Sequence, residues 1–296
     1  FERDKTIDSL EELEMDQPQV AWITDSTSSL NKEVIERNNI HVVPLNIVIN
    51  GTSFKETVDM TEEELYIHMK NGKGTFQTSQ PSVGEFINLY EKLKKEYDFG
   101  FAIHASSKLS GTFNTSVIAA EMVGFPLYGI DSETGSFGLA QLIQKGIRQY
   151  EQGLIAEEIV LNLNRLKKNV RLFLIPANLE QLHKSGRVSS SQKLLASLLR
   201  IKPILSIEEG KAIIKDKVRS HNKANIWVVN QLKEDYKNHS ITKVAILHAN
   251  NYEKANELEQ LVKAELPEIE TETIMLISVA GVHTGVQTVG LSWVCE

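Results

Sequence analysis

Apolar runs of strand length alternate with amphipathic segments throughout the first half of the chain. Val20–Thr24, Phe99–Ala105 and Pro126–Ile130 predict buried strands, and a helix is predicted after each of them, with apolar positions at helical spacing after Phe99–Ala105. Ala156–Lys168 is a further amphipathic segment with its apolar residues on one face. This alternation favours a parallel sheet whose strands are joined by right-handed helical crossovers.

Turn and capping signals place more elements between these strands. His41–Ile49 is predicted to be one strand, and Asn50-Gly51 predicts a hairpin turn that leads into Thr52–Glu56. Capping boxes at Thr61 and Ser82 predict the starts of two helices.

The second half of the chain has a different pattern. Lys202–Ile207 and Lys211–Arg219 flank a glycine-containing turn and predict an antiparallel hairpin. Helices and strands follow, then a loop at Ala280–Gly285 and a last strand at Val289–Val294. Two short helices are also predicted before the hairpin, at Leu179–His183 and Ser191–Leu199. An antiparallel hairpin followed by alternating helices and strands predicts a mixed sheet.

The two patterns predict an α/β protein with two domains, each able to bury its own core. We expect an N-terminal extension at 1–19, a three-layer domain with a parallel sheet at 20–170, and a mixed-sheet α/β domain at 171–296. The boundary between the domains is expected near 168–178.

Hydroxyl side chains collect in the loop that follows the strand Phe99–Ala105. Ser106, Ser107, Ser110 and Thr112 lie there, directly before a predicted helix. Free backbone N–H groups at a helix N-terminus favour an anion, whereas capping needs only one serine, at Ser110. The additional hydroxyls favour an oxyanion site, and a well-capped helix is the alternative.

Similar residues follow two other predicted strands. A run of hydroxyls follows Asp25, and Asp131 begins another such run. Ser29 and Ser136 are predicted to cap the helices that come next. Because ligands bind at the carboxyl ends of parallel strands in open α/β sheets, these loops are expected to border one site.

Thr78 and Ser79 form a further hydroxyl pair. They precede Pro81, which favours extended backbone just before it, so the pair is predicted to lie in a loop. We favour a contact with a ligand, and a simple polar turn is the alternative.

Two cationic candidates come from the second half. Arg187 sits in a Ser-Gly-Arg turn, where its guanidinium can face an anion, and a surface ion pair is the alternative. His283 lies between glycines in the predicted loop, and a structural or exposed histidine is the alternative.

Composition excludes several classes of partner. The 296 residues carry a net charge of −7, which argues against nucleic acid and anionic membranes as partners. No apolar run is long enough to span a bilayer, so no stable membrane insertion is expected. Cys295 is the one cysteine, so an internal disulfide is excluded and a cytoplasmic location is expected.

Motifs for common enzyme chemistries are absent from the sequence. It has no nucleophile elbow, complete phosphate loop or dinucleotide fingerprint. The eight histidines are scattered without zinc-ligand spacing, so no metal site is predicted. These motifs therefore indicate no catalytic residue and no cofactor.

An ordered set of segments resembles the DegV family of bacterial fatty-acid-binding proteins. Each segment is weakly specific, but the set appears in the family's order across residues 20–296. The segments are Ile23-Thr24-Asp25-Ser26-Thr27-Ser28, Thr78-Ser79-Gln80-Pro81-Ser82, Ser106 to Thr112, Asp131-Ser132 with Gly135-Ser136, Leu179 to Leu182 with Ser185-Gly186-Arg187, and His283-Thr284-Gly285.

The resemblance implies a long-chain fatty acid enclosed by two α/β domains. It implies that Thr78 and Ser110 hold the carboxylate, with Arg187 and His283 nearby. The expected ligand-binding residues are Thr78, Ser79, Ser107, Ser110, Gly111, Thr112, Arg187 and His283.

Some members of the family are the lipid-carrying subunit of fatty acid kinase. They present the carboxylate to a separate ATP-binding kinase subunit, and the acyl phosphate then feeds phospholipid synthesis. The resemblance therefore implies a carrier rather than an enzyme. One departure concerns the loop after Gly285, where the family tends to continue Pro-Gly and this chain has Val286-Gln287.

Two other functions are consistent with the residues. One is a stand-alone enzyme that acts on a small phosphorylated or keto compound, with a histidine as its reactive group. The other is a regulatory lipid sensor that has no kinase partner. The residues do not specify the length, unsaturation or branching of an acyl chain, because tunnel-lining residues resemble any core residues.

Overall fold

The computed structural model describes residues 18–72, 74–177, 184, 186–188 and 201–296. Both helices predicted between 179 and 199 lie outside the described residues, as do Ser185 and residues 1–17 of the predicted extension. In the part of the chain that is described, no helix combines the length and hydrophobicity needed to cross a bilayer.

The strands of the described residues form three sheets. They are β1 (Val20–Asp25), β2 (Ile40–Val43), β3 (Asn46–Ile49), β4 (Thr52–Lys55), β5 (Phe76–Ser79), β6 (Phe99–His104), β7 (Leu127–Asp131), β8 (Val170–Ile175), β9 (Lys202–Glu208), β10 (Lys211–Val218), β11 (Lys243–His248), β12 (Glu270–Met275) and β13 (Val289–Val294).

Helices connect and cover these strands. They are α1 (Lys32–Arg37), α2 (Glu62–Asn71), α3 (Val83–Leu93), α4 (Thr112–Val123), α5 (Ser136–Glu151), α6 (Ala156–Leu166), α7 (His221–Asn238), α8 (Tyr252–Glu265) and α9 (Ser278–Thr284). The predicted capping boxes of α2 and α3, at Thr61 and Ser82, are confirmed.

The first sheet has the strand order β2-β1-β6-β7, and every pairing in it is parallel. Its two faces separate by the alternation of side chains along β1. Trp22 packs in a core with α5 and α6, whereas Ala21 and Ile23 pack in a core with α3 and α4. The predicted three-layer parallel-sheet unit is therefore confirmed, and the strands end together at one edge.

The second sheet has the order β10-β9-β8-β13-β11-β12 and is mixed, because only the β11–β12 pairing is parallel. Phe173 and Ile175 pack in the core with α7 and α8. Leu172 and Leu174 alternate with them and join a cluster with Tyr66 from the first half of the chain. The α/β fold class is confirmed, and the second sheet turns an apolar face toward the first half.

A third, three-stranded antiparallel sheet has the order β4-β3-β5. The single strand predicted at His41–Ile49 is wrong, because β2 and β3 lie in different sheets. Pro44 separates them, and proline has no N–H with which to continue a ladder. The loop predicted for Thr78 and Ser79 is also wrong, since both are in β5, where Thr78 pairs with Ile47.

The two predicted serine caps are also corrected. Asn31 caps α1, and Ser29 lies ahead of that helix with a positive φ of 51°. Ser136 is the first residue of α5 rather than its cap, with a φ of 53°. The hydroxyls of these two serines lie 3.1 Å apart and join the loops that follow β1 and β7.

The loop predicted at Ala280–Gly285 is largely helical, because α9 runs from Ser278 to Thr284. Gly281 lies inside this helix, against Tyr66 of α2. The hydroxyl of Tyr66 is buried and donates to the carbonyl of Leu276, 2.6 Å away. A glycine is needed where the helix meets this ring, and that glycine made the segment resemble a loop.

Gly281→Ala is expected to destabilise the fold by about 1–3 kcal/mol, the usual range for overpacking. A Cβ at this position would lie 2.2 Å from Cε1 of the fixed ring of Tyr66. Denaturant unfolding measures the effect, with Gly84→Ala in α3 as the matched control, since nothing crowds a Cβ there. Equal stability of the two variants would contradict the packing described for α9.

Candidate functional site

A cavity of about 500 Å³ lies where the edge of the first sheet meets the apolar face of the second. This size is typical of small-molecule sites. We call it the central cavity, and it is lined by Thr27, Leu45, Thr78, Ser79, Gln80, Ala105, Ser107, Lys108, Leu109, Ser110, Gly111, Thr134, Gly135, Ser136, Leu172, Leu174, Arg187, Val188, Leu205, Ser206, Ile207, Ala212, Leu276, Ile277, Val279, Ala280, His283 and Thr284.

One side of the central cavity is polar. Most of the hydroxyls that line the cavity come from the loops that follow β1, β6 and β7, where the sequence predicted them, and from the end of β5, where it predicted a loop. Of the eight predicted ligand-binding residues, Thr112 alone does not line the cavity. The fold therefore brings together residues from Thr78 to His283 that are far apart in the chain.

The other side of the central cavity is apolar. Leu172 and Leu174 are two residues apart on β8 and so share a face, as do Leu205 and Ile207 on β9. Leu174 pairs directly with Leu205, and Ala212 of β10 continues the same surface. This wall is a strip of hydrocarbon with its backbone polar groups engaged in the sheet.

Thr78 and His283 are joined across the polar side. The Oγ1 atom of Thr78 lies 2.9 Å from Nε2 of His283. Burial, together with the nearby guanidinium of Arg187, lowers the pKa of His283 to about 4. The imidazole is therefore neutral near pH 7, and when Nε2 carries its proton, the hydroxyl of Thr78 can donate to a ligand.

Ser110 lies at the start of α4. Its Oγ accepts from the backbone N–H of Thr112 at 3.3 Å and lies 2.8 Å from Oγ1 of Thr112. Thr112 is fully buried behind Ser110 and does not line the central cavity, so it can affect a ligand there only through its contact with Ser110. The alternative of a helix capped by Ser110 is met only in part, because Gly111 is the N-cap, while Ser110 accepts from the first N–H of the helix.

Ser107 and Ser106 fix the shape of the same loop. The hydroxyl of Ser107 donates to Asp131 at 2.5 Å, and its backbone N–H also donates to that carboxylate. The buried hydroxyl of Ser106 donates to the carbonyl of Gly210 at 2.7 Å, in the β9–β10 turn. These bonds hold the β9–β10 hairpin of the second half against the loop that carries Ser110.

A buried chain of polar side chains lies behind the site. Asp25 Oδ2 lies 3.0 Å from Nδ1 of His104, whose Nε2 lies 2.9 Å from Oγ of Ser116. Ser116 in turn lies 2.5 Å from the hydroxyl of Tyr90. This order resembles a catalytic triad, but Asp25, His104 and Ser116 are fully buried and none of them lines the central cavity. This series of hydrogen-bonded side chains therefore has a structural role.

Asp25 is the anchor of this chain. Burial acts to raise its pKa, but the hydrogen bond and charge of His104, together with donors on Thr27 and Ala105, bring the pKa below its usual value. The charged carboxylate thereby ties the ends of β1 and β6 together beneath the site. The pairing of His104 with Asp25 could not be predicted from local sequence, because 79 residues separate them.

Glu56 is a second buried acid that the sequence reasoning missed. Its carboxylate accepts from the hydroxyl of Ser26 at 2.5 Å and from the backbone N–H of Val279 at 2.8 Å. It thus joins the loop after β1 to the start of α9, the helix that carries His283. Burial raises the pKa of Glu56 to about 7, against the lowering effect of these two donors.

Glu56→Gln is expected to remove a pH dependence of stability. The folded-state pKa lies above the ordinary value of 4.5, so folding favours the protonated form, and the unfolding free energy falls as pH rises from about 4.5 to about 7. The loss is about 3 kcal/mol for a shift of this size. The amide oxygen of glutamine can accept from the N–H of Val279, and its NH2 group can donate to the hydroxyl oxygen of Ser26, so both contacts remain without the charge.

Denaturant unfolding at a series of pH values measures this difference between the native chain and Glu56→Gln. The exposed Glu63→Gln on α2 is the control and should leave the profile unchanged. Parallel profiles for the native chain and Glu56→Gln would contradict the assignment.

Both the sequence and the fold of this chain match those of a known protein family. A family model described as "Uncharacterised protein, DegV family" matches residues 19–296. The chain belongs to the DegV family. This DegV family chain is 38% identical over 269 residues to a DegV domain-containing protein of Staphylococcus aureus. The aligned region covers 91% of this chain and 96% of that protein.

Solved structures of the family have the same fold. The DegV family chain superposes with a TM-score of 0.86 on DegV of Bacillus subtilis, described as a fatty acid binding protein. The two are 31% identical, and the match covers 94% of this chain and all of that one. A DegV family protein of Thermus thermophilus, described for its fatty acid binding, is 26% identical to this chain and superposes with a TM-score of 0.87. The match covers 94% of this chain and all of the Thermus thermophilus chain.

Proposed function

We propose that this protein binds a long-chain fatty acid in the central cavity and presents its carboxylate to a separate ATP-binding kinase subunit. The observation that carries the proposal is one cavity with a wall of hydroxyls on one side and the aliphatic face of a sheet on the other. Its relatives in Bacillus subtilis and Thermus thermophilus, which are described as binding fatty acids, support the same ligand class.

The apolar wall supplies most of the affinity. A chain of about fifteen methylenes, buried at roughly 0.8 kcal/mol each, contributes about 12 kcal/mol before the entropic costs of binding. A hydroxyl that donates to a carboxylate adds only about 1.5–3 kcal/mol. The tail therefore retains the lipid, and the polar side determines where its carboxylate lies.

Thr78 and Ser110 are the proposed carboxylate donors. Both line the polar side of the cavity, and Thr78 is held by neutral His283. Ser79, Gly111 and the backbone of the loop at Ser107 complete the surroundings of the headgroup.

Neutral donors suit a carboxylate that must act as a nucleophile. In acyl phosphate formation, a carboxylate oxygen attacks the γ-phosphorus of ATP and ADP leaves. A bidentate ion pair with arginine would hold both oxygens and weaken that attack. Arg187 lines the cavity with an exposed side chain, so we assign it to the partner subunit or to the phosphate being transferred.

Denaturing extraction of the purified protein, followed by mass spectrometry, tests the ligand class. A long-chain fatty acid at about one per chain is expected. A polar phosphorylated or keto compound would instead support a stand-alone enzyme and would overturn the proposal.

Incubation of the lipid-loaded protein with the cognate kinase subunit and ATP tests the partner. Acyl phosphate should form, and Arg187→Ala should reduce both kinase binding and turnover. A lipid-loaded protein that no kinase subunit phosphorylates would indicate a regulatory lipid sensor. Kinase binding and turnover unchanged in Arg187→Ala would remove that residue from the proposed interface.

A further inference from the structure

A cluster of three different donor groups lies outside the central cavity. A carboxylate oxygen of Asp235, a ring nitrogen of His239 and the sulfur of Cys295 all lie within 4.8 Å of one another. Asp235 is in the last turn of α7, His239 directly follows that helix, and Cys295 directly follows β13. None of the three lines the central cavity.

The backbone holds these donors together. The N–H of Ser240 donates to the carbonyl of Glu296 at 3.1 Å, and the N–H of Glu296 donates back to Ser240 at 2.9 Å. The N–H of Cys295 donates to the carbonyl of Asn169 at 3.0 Å. Both segments that carry the donors are therefore paired, and the cluster does not depend on flexible side chains alone.

The carboxylate of Asp235 is also oriented. Its Oδ2 atom accepts from the indole N–H of Trp293 at 2.9 Å and lies 3.3 Å from Nε of Arg171. These contacts engage Oδ2, and the thiol of Cys295 is hydrogen-bonded to the same carboxylate, so two of the three donors already lie in contact. Outer hydrogen bonds of this kind orient the ligand groups of metal sites.

We infer that Asp235, His239 and Cys295 form a binding site for Zn²⁺ or a similar divalent transition metal. A thiolate, an imidazole and a carboxylate together are a zinc-type donor set, whereas Mg²⁺ and Ca²⁺ prefer oxygen donors alone. The spread of 4.8 Å requires only a small inward movement to reach the usual zinc–ligand distances of about 2.0–2.3 Å.

The accessibility of the cluster indicates how the ion binds. Cys295 is buried, Asp235 is half-buried and His239 is exposed, so the ion enters from the side of His239. Binding forms a metal–sulfur bond as the thiol releases its proton to solvent. Three protein ligands leave a fourth tetrahedral position for water.

The spacing of these three residues in the sequence does not predict a metal site. Asp235 and His239 are four residues apart across a helix end, and Cys295 follows β13, far along the chain. No zinc motif spans such positions, which is why the scattered histidines predicted no metal. The site requires β13 to lie in the middle of its sheet, beside the end of α7.

Titration of the chelator-treated full chain with Zn²⁺ or Co²⁺ tests the inference. One equivalent of Zn²⁺ should bind, and Co²⁺ should give a thiolate-to-cobalt charge-transfer band with the d–d absorption of a tetrahedral site. His239→Ala should weaken binding by at least about tenfold, and Cys295→Ser should abolish the charge-transfer band.

His68→Ala is the matched control, because this exposed histidine lies on α2, outside the cluster, and binding should be unchanged. His239 is exposed, so its variant tests the site even if Cys295→Ser fails to fold. Absence of Zn²⁺ binding, or binding that His239→Ala leaves unchanged, would overturn the inference.

Discussion

Combining Thr78→Val with Ser110→Ala in one chain is expected to leave fatty acid bound while acyl phosphate formation falls by about a hundredfold. The double variant removes both proposed carboxylate donors but keeps the apolar wall at Leu174 and Leu205. The tail therefore still retains the lipid, whereas the carboxylate is no longer held in a reactive position. A misplacement of about 1 Å is enough for a loss of this size.

Lipid content by mass spectrometry and turnover with the cognate kinase subunit measure the two effects separately. Thr52→Val combined with Ser53→Ala is the matched control, because both residues are exposed on β4 and neither lines the cavity. Full turnover by the Thr78 and Ser110 double variant would refute the assigned roles. Loss of lipid from that variant would show that the hydroxyls, not the tail, supply the affinity.

Enlarging Ala212 is expected to shorten or exclude the bound acyl chain. Ala212 lines the apolar wall on β10, next to Val188, and its side chain borders open space rather than only packed atoms. Valine, leucine and phenylalanine at this position should progressively fill that space. We expect co-purified lipid to shift toward shorter chains and to be nearly lost in Ala212→Phe.

Mass spectrometry of the extracted lipid measures this series, and thermal unfolding checks that each variant is folded. Ala264→Phe on the exposed face of α8 is the control for an added ring. An unchanged lipid profile in a folded Ala212→Phe would place the tail elsewhere.

Local signals in the sequence predicted most of the first sheet and its helices. Strands β1, β6 and β7 are short apolar runs with helices after them, and the capping boxes at Thr61 and Ser82 fix two helix starts through bonds within four residues. Such features depend on the chain close by. The α/β class follows from them.

The errors occurred where distant contacts decide local structure. The helix α9 contains Gly281 because Tyr66 of α2 packs against it, which the local sequence does not reveal. Thr78 lies in a strand because β3 pairs with it, although Pro81 favoured a loop. Ser29 and Ser136 bond to each other rather than cap helices. The proposed domain boundary near 168–178 stays a prediction.

The polar side of the site was more predictable than its surroundings. Hydroxyls at strand ends indicated the region, the local sequence made Arg187 and His283 candidates, and the family resemblance favoured both over their structural alternatives. Asp25 was indicated only as the start of a hydroxyl run, and neither its bond to His104 nor the burial of Glu56 was predicted, because buried acids look like surface acids in a sequence. The apolar wall is likewise indistinguishable from ordinary core until the sheet is assembled.

A crystal structure of the lipid-loaded protein tests the central claim most directly. We predict that a carboxylate oxygen lies about 3 Å from the hydroxyls of Thr78 and Ser110, and that the hydrocarbon runs along Leu174, Leu205 and Ala212. A lipid bound in the reverse direction, or bound outside the central cavity, would contradict the account.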